Sequence, residues 1–209
     1  MAHQLLELLL DAADGVFPPA DGAVTVVPAL DGGMECSVAF TGHAVVATAL
    51  PVEAVQHRCD GFGGSFAPEF LTWLAGPRGW IGVVDATLVA RGKGGPAALP
   101  QRDDLADNDR VRHARAIRSG VRVYGDERGL VTLGDGLAGR REMSVEVVPE
   151  GRGGGTGRSL LGDALTLVPR DEPVFAAVSP GNARSLRAFL AAGFVPVGSE
   201  VLVRPGRVS

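Results

Sequence analysis

The chain has 209 residues, 45% of them apolar and 21% charged, enough to bury one good core or two small ones. A formal net charge of −4 argues against a broad basic surface, and no apolar run approaches the roughly 20 residues that span a bilayer, so neither nucleic acid nor membrane is expected as a partner. Only Cys36 and Cys59 are available for a disulfide, so the fold does not rest on a cysteine framework, and a cytoplasmic location is expected.

A first helix is predicted over Gln4 to Ala13, where Leu5, Leu8, Leu9 and Ala12 recur at helical spacing before the Gly15 to Pro19 stretch stops it. Apolar runs at Val24 to Pro28, Cys36 to Phe40 and Ala44 to Leu50, bounded by Asp31-Gly32-Gly33 and by Gly42, read as short strands. Helices are predicted at Val52 to His57 and Pro68 to Leu74, and Trp80 to Ala90 is the strongest strand of this half. Arg91 to Asp104, rich in Gly and Pro and without periodicity, reads as a linker, which puts a boundary between a region 1–104 and a region 105–209. Beyond it come a basic helix at Asp109 to Arg118 and strands at Val121 to Tyr124, Leu130 to Leu133 and Glu142 to Val148. A helix from Arg158 to Leu167, a strand Val174 to Val178, a helix Ala183 to Ala191 and a strand Phe194 to Val203 complete the chain.

Between the strand that ends at Val148 and the helix from Arg158 lies Arg152-Gly153-Gly154-Gly155-Thr156-Gly157-Arg158. An anion suits that place, because the first N–H groups of a helix have no partner within it and glycines let a phosphate approach them without a Cβ in the way. A dinucleotide fingerprint G-x-G-x-x-G fails on spacing: positions 158 and 160 hold Arg158 and Leu160, and a start at Gly151 fails at Thr156. A flexible linker is the bland alternative, set against the immediate return of helical spacing at Leu160, Leu161, Ala164, Leu165 and Val168.

Val147-Val148-Pro149 followed by Arg152-Gly153-Gly154-Gly155-Thr156-Gly157 resembles the acetyl-coenzyme A signature of the GNAT superfamily of N-acetyltransferases, a V-x-P step before [QR]-x-x-G-x-[GA]. Further on, Asn182-Ala183-Arg184-Ser185-Leu186 leads through Phe189 to Gly193-Phe194, similar to that family's second cofactor motif. The resemblance covers about half the chain. It implies an α/β (α+β) fold with a mixed central sheet flanked by helices over 105–209; the additional N-terminal α/β region, 1–104, lies outside the resemblance and its role is unknown. The resemblance also implies acetyl-CoA as co-substrate, held by Val147, Val148, Arg152 to Arg158, Asn182 and Ser185, with a backbone N–H near Val147 facing the acyl oxygen where strands splay. Asn182 is also placed to cap the following helix.

Acyl transfer to an amine needs a neutral nucleophile, a donor for the developing oxyanion and a proton for the leaving thiolate. Glu142, Ser144 and Glu146 alternate with Met143, Val145 and Val147, so the two sets face opposite sides of one strand. Glu146 is the first candidate to accept the amine proton and Glu142 the second; the alternative is that these carboxylates are solvated or paired with a neighbour such as Arg141. Many members of the family carry a tyrosine where this chain has Phe189, which cannot donate a proton, and the only tyrosine is Tyr124.

Other constellations are weaker. Gly63-Gly64-Ser65-Phe66-Ala67 lacks the second glycine of a nucleophile elbow, and Cys36, His43, His57 and Cys59 lack the paired spacings of a zinc site, so no metal is expected. Arg110, Arg112, Arg115 and Arg118 read as a solvated helix face. The leading function is acetyl-CoA-dependent transfer of an acetyl group to an amine of a small molecule or protein. The alternative is a catalytically weak acyl-CoA sensor or protein-interaction module, and the expected partners are an amine acceptor and at most a second copy of the chain in a homodimer.

Overall fold

The computed structural model describes residues 2–149 and 154–207. Among the described residues it is a mixed α/β fold of six α-helices and ten strands. In chain order these are α1 (Gln4–Ala13), β1 (Val24–Val27), β2 (Glu35–Phe40), β3 (His43–Ala47), α2 (Val52–Gln56), α3 (Pro68–Ala75), β4 (Trp80–Ile81), β5 (Asp85–Arg91), α4 (Asp109–Ile117), β6 (Ser119–Asp126), β7 (Gly129–Asp135), β8 (Arg141–Val147), α5 (Thr156–Ala164), β9 (Pro173–Val178), α6 (Ala183–Ala191) and β10 (Val195–Arg204). The chain forms two compact units, one of residues 1–87 with 197–209 and the other of residues 88–196.

In the first unit β1, β3, β2 and β10 lie in that order, with β4 also paired to β10. β2 and β3 form an antiparallel hairpin in which Phe40 faces His43 across the Thr41-Gly42 turn, and Gly42 supplies the positive φ of 69° that this turn needs. β1 runs parallel to β3, and β10 pairs antiparallel with β2 from Ser199 opposite Ala39 to Val203 opposite Glu35. Val24, Ala44, Val46, Phe70, Leu74, Val201 and Val203 make one apolar cluster. Helix α3 begins with Pro68 in its first turn and ends before Gly76 at φ 76°, the usual asymmetry of helix ends. The C-terminal segment is tied to this unit by Arg207, which donates to the carboxylate of fully buried Glu35 and to the carbonyl of Leu74.

In the second unit the order is β5, β9, β8, β7, β6. β6, β7 and β8 form an antiparallel meander, whereas β8 and β9 run parallel. Helix α4 packs on β6, α5 on β7 and β8, and α6 on α5.

Two sequence expectations change here. The single strand predicted from Trp80 to Ala90 is two strands, β4 and β5, interrupted at 82–84. The segment Arg91 to Asp104 has no regular strand or long helix, yet it is not a free linker. Gly92 N–H donates to Glu172 O at 2.8 Å, Lys93 N–H to Leu165 O at 2.8 Å and Arg102 N–H to Val123 O at 2.9 Å, while Leu99 is buried. The compact units divide at 87/88, ahead of this segment, and the final strand groups with the first unit from Val197 onward. Among the described residues no helix is long and apolar enough to cross a membrane.

Candidate functional site

The site is built where β8 and β9 part. These parallel strands are in register at Glu142 and Phe175, and among the described residues no further ladder pair joins them toward Val147 and Val178. On its other edge β8 stays paired with β7 as far as Val147 opposite Gly129, and Val148 N–H donates to Arg128 O at 3.1 Å. Backbone groups alternate sides along an antiparallel strand, so the N–H and C=O of Val145 and Val147 point away from β7, toward the gap beside β9.

A cavity of about 770 Å³ opens at this place, within the size range of small-molecule sites. Val145, Glu146 and Val147 of β8 form one wall, Gly154 to Arg158 at the start of α5 a second, and α6 with Asn182, Ser185 and Ala188 a third. Gly154 and Gly155 have φ of 56° and 86°, a left-handed conformation that carries the chain into α5, and a Cβ on either would meet nothing within 4 Å. The N-cap position is Gly155, which has no side chain to cap the helix. Its N-terminus faces space whose described lining includes the cations Arg110, Arg158, Arg184 and Arg187 and the carboxylate of Glu146. Gly157 allows the three walls to meet: a Cβ there would stand 3.2 Å from Ala188 Cβ and 3.6 Å from Val147 Cγ2. Asn182 Oδ1 accepts from Ser185 N–H at 3.2 Å and so caps α6 as expected.

The described sequence candidates lie at or beside one cavity, with Glu142 apart. Val147, Gly154, Gly155, Thr156, Gly157, Arg158, Asn182, Ser185 and Glu146 line the cavity, and Val148 follows directly at the strand exit. Arg152 and Gly153 lie outside the described residues. Glu142 is the exception: its carboxylate is buried between Arg118 Nε at 2.7 Å and Arg140 Nε at 2.8 Å, and accepts the Leu137 N–H at 3.0 Å. Burial alone would raise its pKa, but the two guanidiniums and that N–H outweigh it and bring the group down to about 2. A carboxylate so strongly held is a poor proton acceptor near neutral pH, and it does not line the cavity. Arg141, suggested by adjacency as a partner for these carboxylates, pairs instead with Glu172 at 2.6 Å, because its side chain leaves the opposite face of the strand from Glu142.

Glu146 is half-exposed, 3.9 Å from Arg110 Nε, and stands in the cavity wall. Phe189 is 3% exposed and packs edge-on against Phe194, with ring centroids 4.9 Å apart, so it is core. Tyr124 lies on β6 and is bridged to Gln101, and it does not line the cavity. Ser65 is fully buried with no hydrogen-bond partner for its hydroxyl, which removes it from reach as a nucleophile. His43 Nδ1 donates to Asp21 at 2.9 Å, since a carboxylate can only accept, and Nε2 shares a hydrogen bond with the Thr25 hydroxyl, also at 2.9 Å. This tie fixes β1 to β3.

Two sets of arginine contacts have no signal in the sequence, and Arg118, read there as part of a solvated face, is buried. Arg118 and Arg140 neutralise Glu142 from 24 residues and two residues away. Arg128, in the β6–β7 turn, reaches residues of α5 that lie 31 and 35 positions further on.

No protein-family model matches the chain, and no curated protein does. Among solved structures it is similar to a GCN5-related N-acetyltransferase from Kribbella flavida, at 14% identity over 99% of this chain and 96% of that one, with a TM-score of 0.43. It is similar also to a protein of Novosphingobium aromaticivorans assigned to the GNAT acetyltransferase family, at 17% identity over 62% and 69% of the two chains, TM-score 0.39. A GNAT-family acetyltransferase from Colwellia psychrerythraea matches at 12% identity over 61% and 57%, TM-score 0.36. These neighbours are acetyltransferases at low sequence identity, and what the site of this chain does is taken from its own geometry.

Proposed function

We propose that the chain is an N-acetyltransferase that binds acetyl-CoA in the cavity between β8, α5 and α6 and passes the acetyl group directly to an amine. The observation that carries this reading is the parting of β8 and β9 beyond Glu142 and Phe175 over a cavity that ends on the glycine-lined start of α5. The residues fit such a ligand: a helix N-terminus with arginines around it suits a pyrophosphate, and a groove walled by Val145, Val147 and Ala188 suits an extended arm.

The thioester supplies an activated acyl carbon; in the transfer an N–C bond forms, the C–S bond breaks, a proton leaves the amine and one is taken up at sulfur. The N–H groups of Val145 and Val147, directed into the gap, are placed to hold the acyl oxygen as charge develops there. Glu146 is the carboxylate at the cavity among the described residues and takes the amine proton, directly or through water. With Phe189 buried and Tyr124 away from the cavity, the sulfur receives its proton from solvent.

The test is a thermal shift followed by turnover on a panel of amines. Acetyl-CoA at a hundredfold excess over its Kd is expected to raise Tm by about 5 °C or more, with NAD and ATP giving less. No shift, or a larger one with NAD, removes the assignment. The buried Phe189 favours one second reading, a weakly catalytic acyl-CoA sensor; a full thermal shift with no turnover across the amine panel selects it.

A further inference from the structure

Arg128 sits between β6 and β7, outside the cavity, and it holds the chain on both sides of the glycine segment. Its carbonyl accepts the Val148 N–H at 3.1 Å, where β8 ends. Its guanidinium donates to Ser159 Oγ at 2.6 Å and to Asp163 Oδ2 at 2.6 Å, both on α5. Asp126 grips the same guanidinium from behind, Nη2 to Oδ2 at 2.6 Å and Nε to both oxygens at 3.0 and 3.1 Å, and accepts the Arg128 N–H at 2.9 Å. Next to it Gly129 brings the hairpin backbone against β8, since a Cβ there would stand 2.1 Å from Glu146 O.

We propose that Arg128 is the positioning residue of the ligand cavity, fixing the start of α5 relative to the end of β8 so that the helix N–H groups and the Val147 wall stand at the spacing the ligand requires. This rests on the function proposed above. One residue spans both flanks, so a single turn and its guanidinium tie Val148 to Ser159. Its charge is matched by Asp126 and Asp163, which hold its pKa above the usual arginine value, so it does not attract phosphate itself; its contribution is geometric. The fold does not depend on it: α5 is also held by buried Leu160, Leu161 and Ala164, and ion pairs about a fifth to two-fifths exposed contribute little to stability. A lysine cannot replace it, because a single ammonium lacks the planar fork that meets Asp126, Ser159 and Asp163 together.

The experiment uses the full chain with Arg128→Ala and Arg128→Lys. Backbone hydrogen exchange without ligand is expected to quicken at Gly154 to Ser159 in both, while Tm falls by only a few degrees. In steady state KM for acetyl-CoA rises about tenfold or more in Arg128→Ala with kcat within about twofold, since a misplaced binding wall costs affinity before it costs chemistry; Arg128→Lys recovers only part of the loss. Unchanged exchange in this segment together with unchanged KM, in a folded Arg128→Ala protein, overturns the proposal, as does full recovery by lysine. If the wild-type chain binds no acetyl-CoA, the proposed function fails, and the exchange measurement still decides whether Arg128 sets the geometry of the cavity.

Discussion

Glu142 and Glu146 stand on the same face of β8 and meet opposite surroundings. Glu142 is buried between two guanidiniums, whose own side chains are 6% and 0% exposed, so its ionised form is what neutralises that part of the interior. Its pKa is lowered in the folded chain, so the stabilisation is fully present above the ordinary value of 4.5 and is lost as pH falls toward about 2. Glu142→Gln should therefore cost about 3–5 kcal/mol near neutral pH, with the gap to wild type narrowing through that acid window; a constant gap from pH 7 to 2, followed by chemical denaturation, would refute it. Glu146 is half-exposed in the cavity wall, and Glu146→Gln should leave stability within about 0.5 kcal/mol while lowering turnover by roughly 10²-fold. Full turnover in that variant from pH 6 to 9 would leave deprotonation to solvent.

Among the elements, the first turn of α5 decides the shape of the cavity, because α5, α6 and β8 converge on a glycine. With Ala188 Cβ 3.2 Å from where a Cβ of residue 157 would lie, Gly157→Ala needs a shift of a few tenths of an ångström, and a larger side chain needs α5 and α6 to move apart. Gly157→Leu is expected to cost about 1–3 kcal/mol through overpacking and to weaken acetyl-CoA binding by about tenfold or more. The pairing is specific enough for a double-mutant cycle: Ala188→Gly, which removes the facing methyl, should restore most of the affinity lost in Gly157→Ala. Calorimetry reads both, and additive losses would show that the two residues do not share the wall.

At the scale of the whole molecule, the chain returns to its first unit after building the second. β10 pairs with β2 and β4, its Val201 and Val203 are fully buried in the cluster with Phe70 and Leu74, and Arg207 closes on Glu35. A piece beginning at Leu105 would keep β10 but lose β2 and β4, exposing these valines on an unpaired strand. It would also lose Leu88, Val89 and Leu99, all buried, from the second unit. Such a piece is expected to aggregate or to unfold without a cooperative transition, measured by soluble yield and thermal melting. A monomeric piece with a sharp transition would show that 105–209 is self-sufficient.

Most of the elements could be read from the sequence, because helical and strand periodicities are local. The first helix runs from Gln4 to Ala13 and the last from Ala183 to Ala191 as their apolar spacing requires, and the glycine segment opens a helix directly after a strand. The candidate site was legible for the same reason: Val147, Gly154 to Arg158, Asn182 and Ser185 belong to two short motifs whose residues come together in one cavity. Pairing across distance was not legible. An apolar run does not say which strand it will join, so nothing in Phe194 to Val203 marks it as a partner of β2, and nothing in Trp80 to Ala90 marks the break at 82–84. Charges behave likewise. Glu142 and Glu146 are the same side chain on the same face of one strand, and only the tertiary placement of Arg118 and Arg140 makes one a buried counter-ion while the other remains open to the cavity.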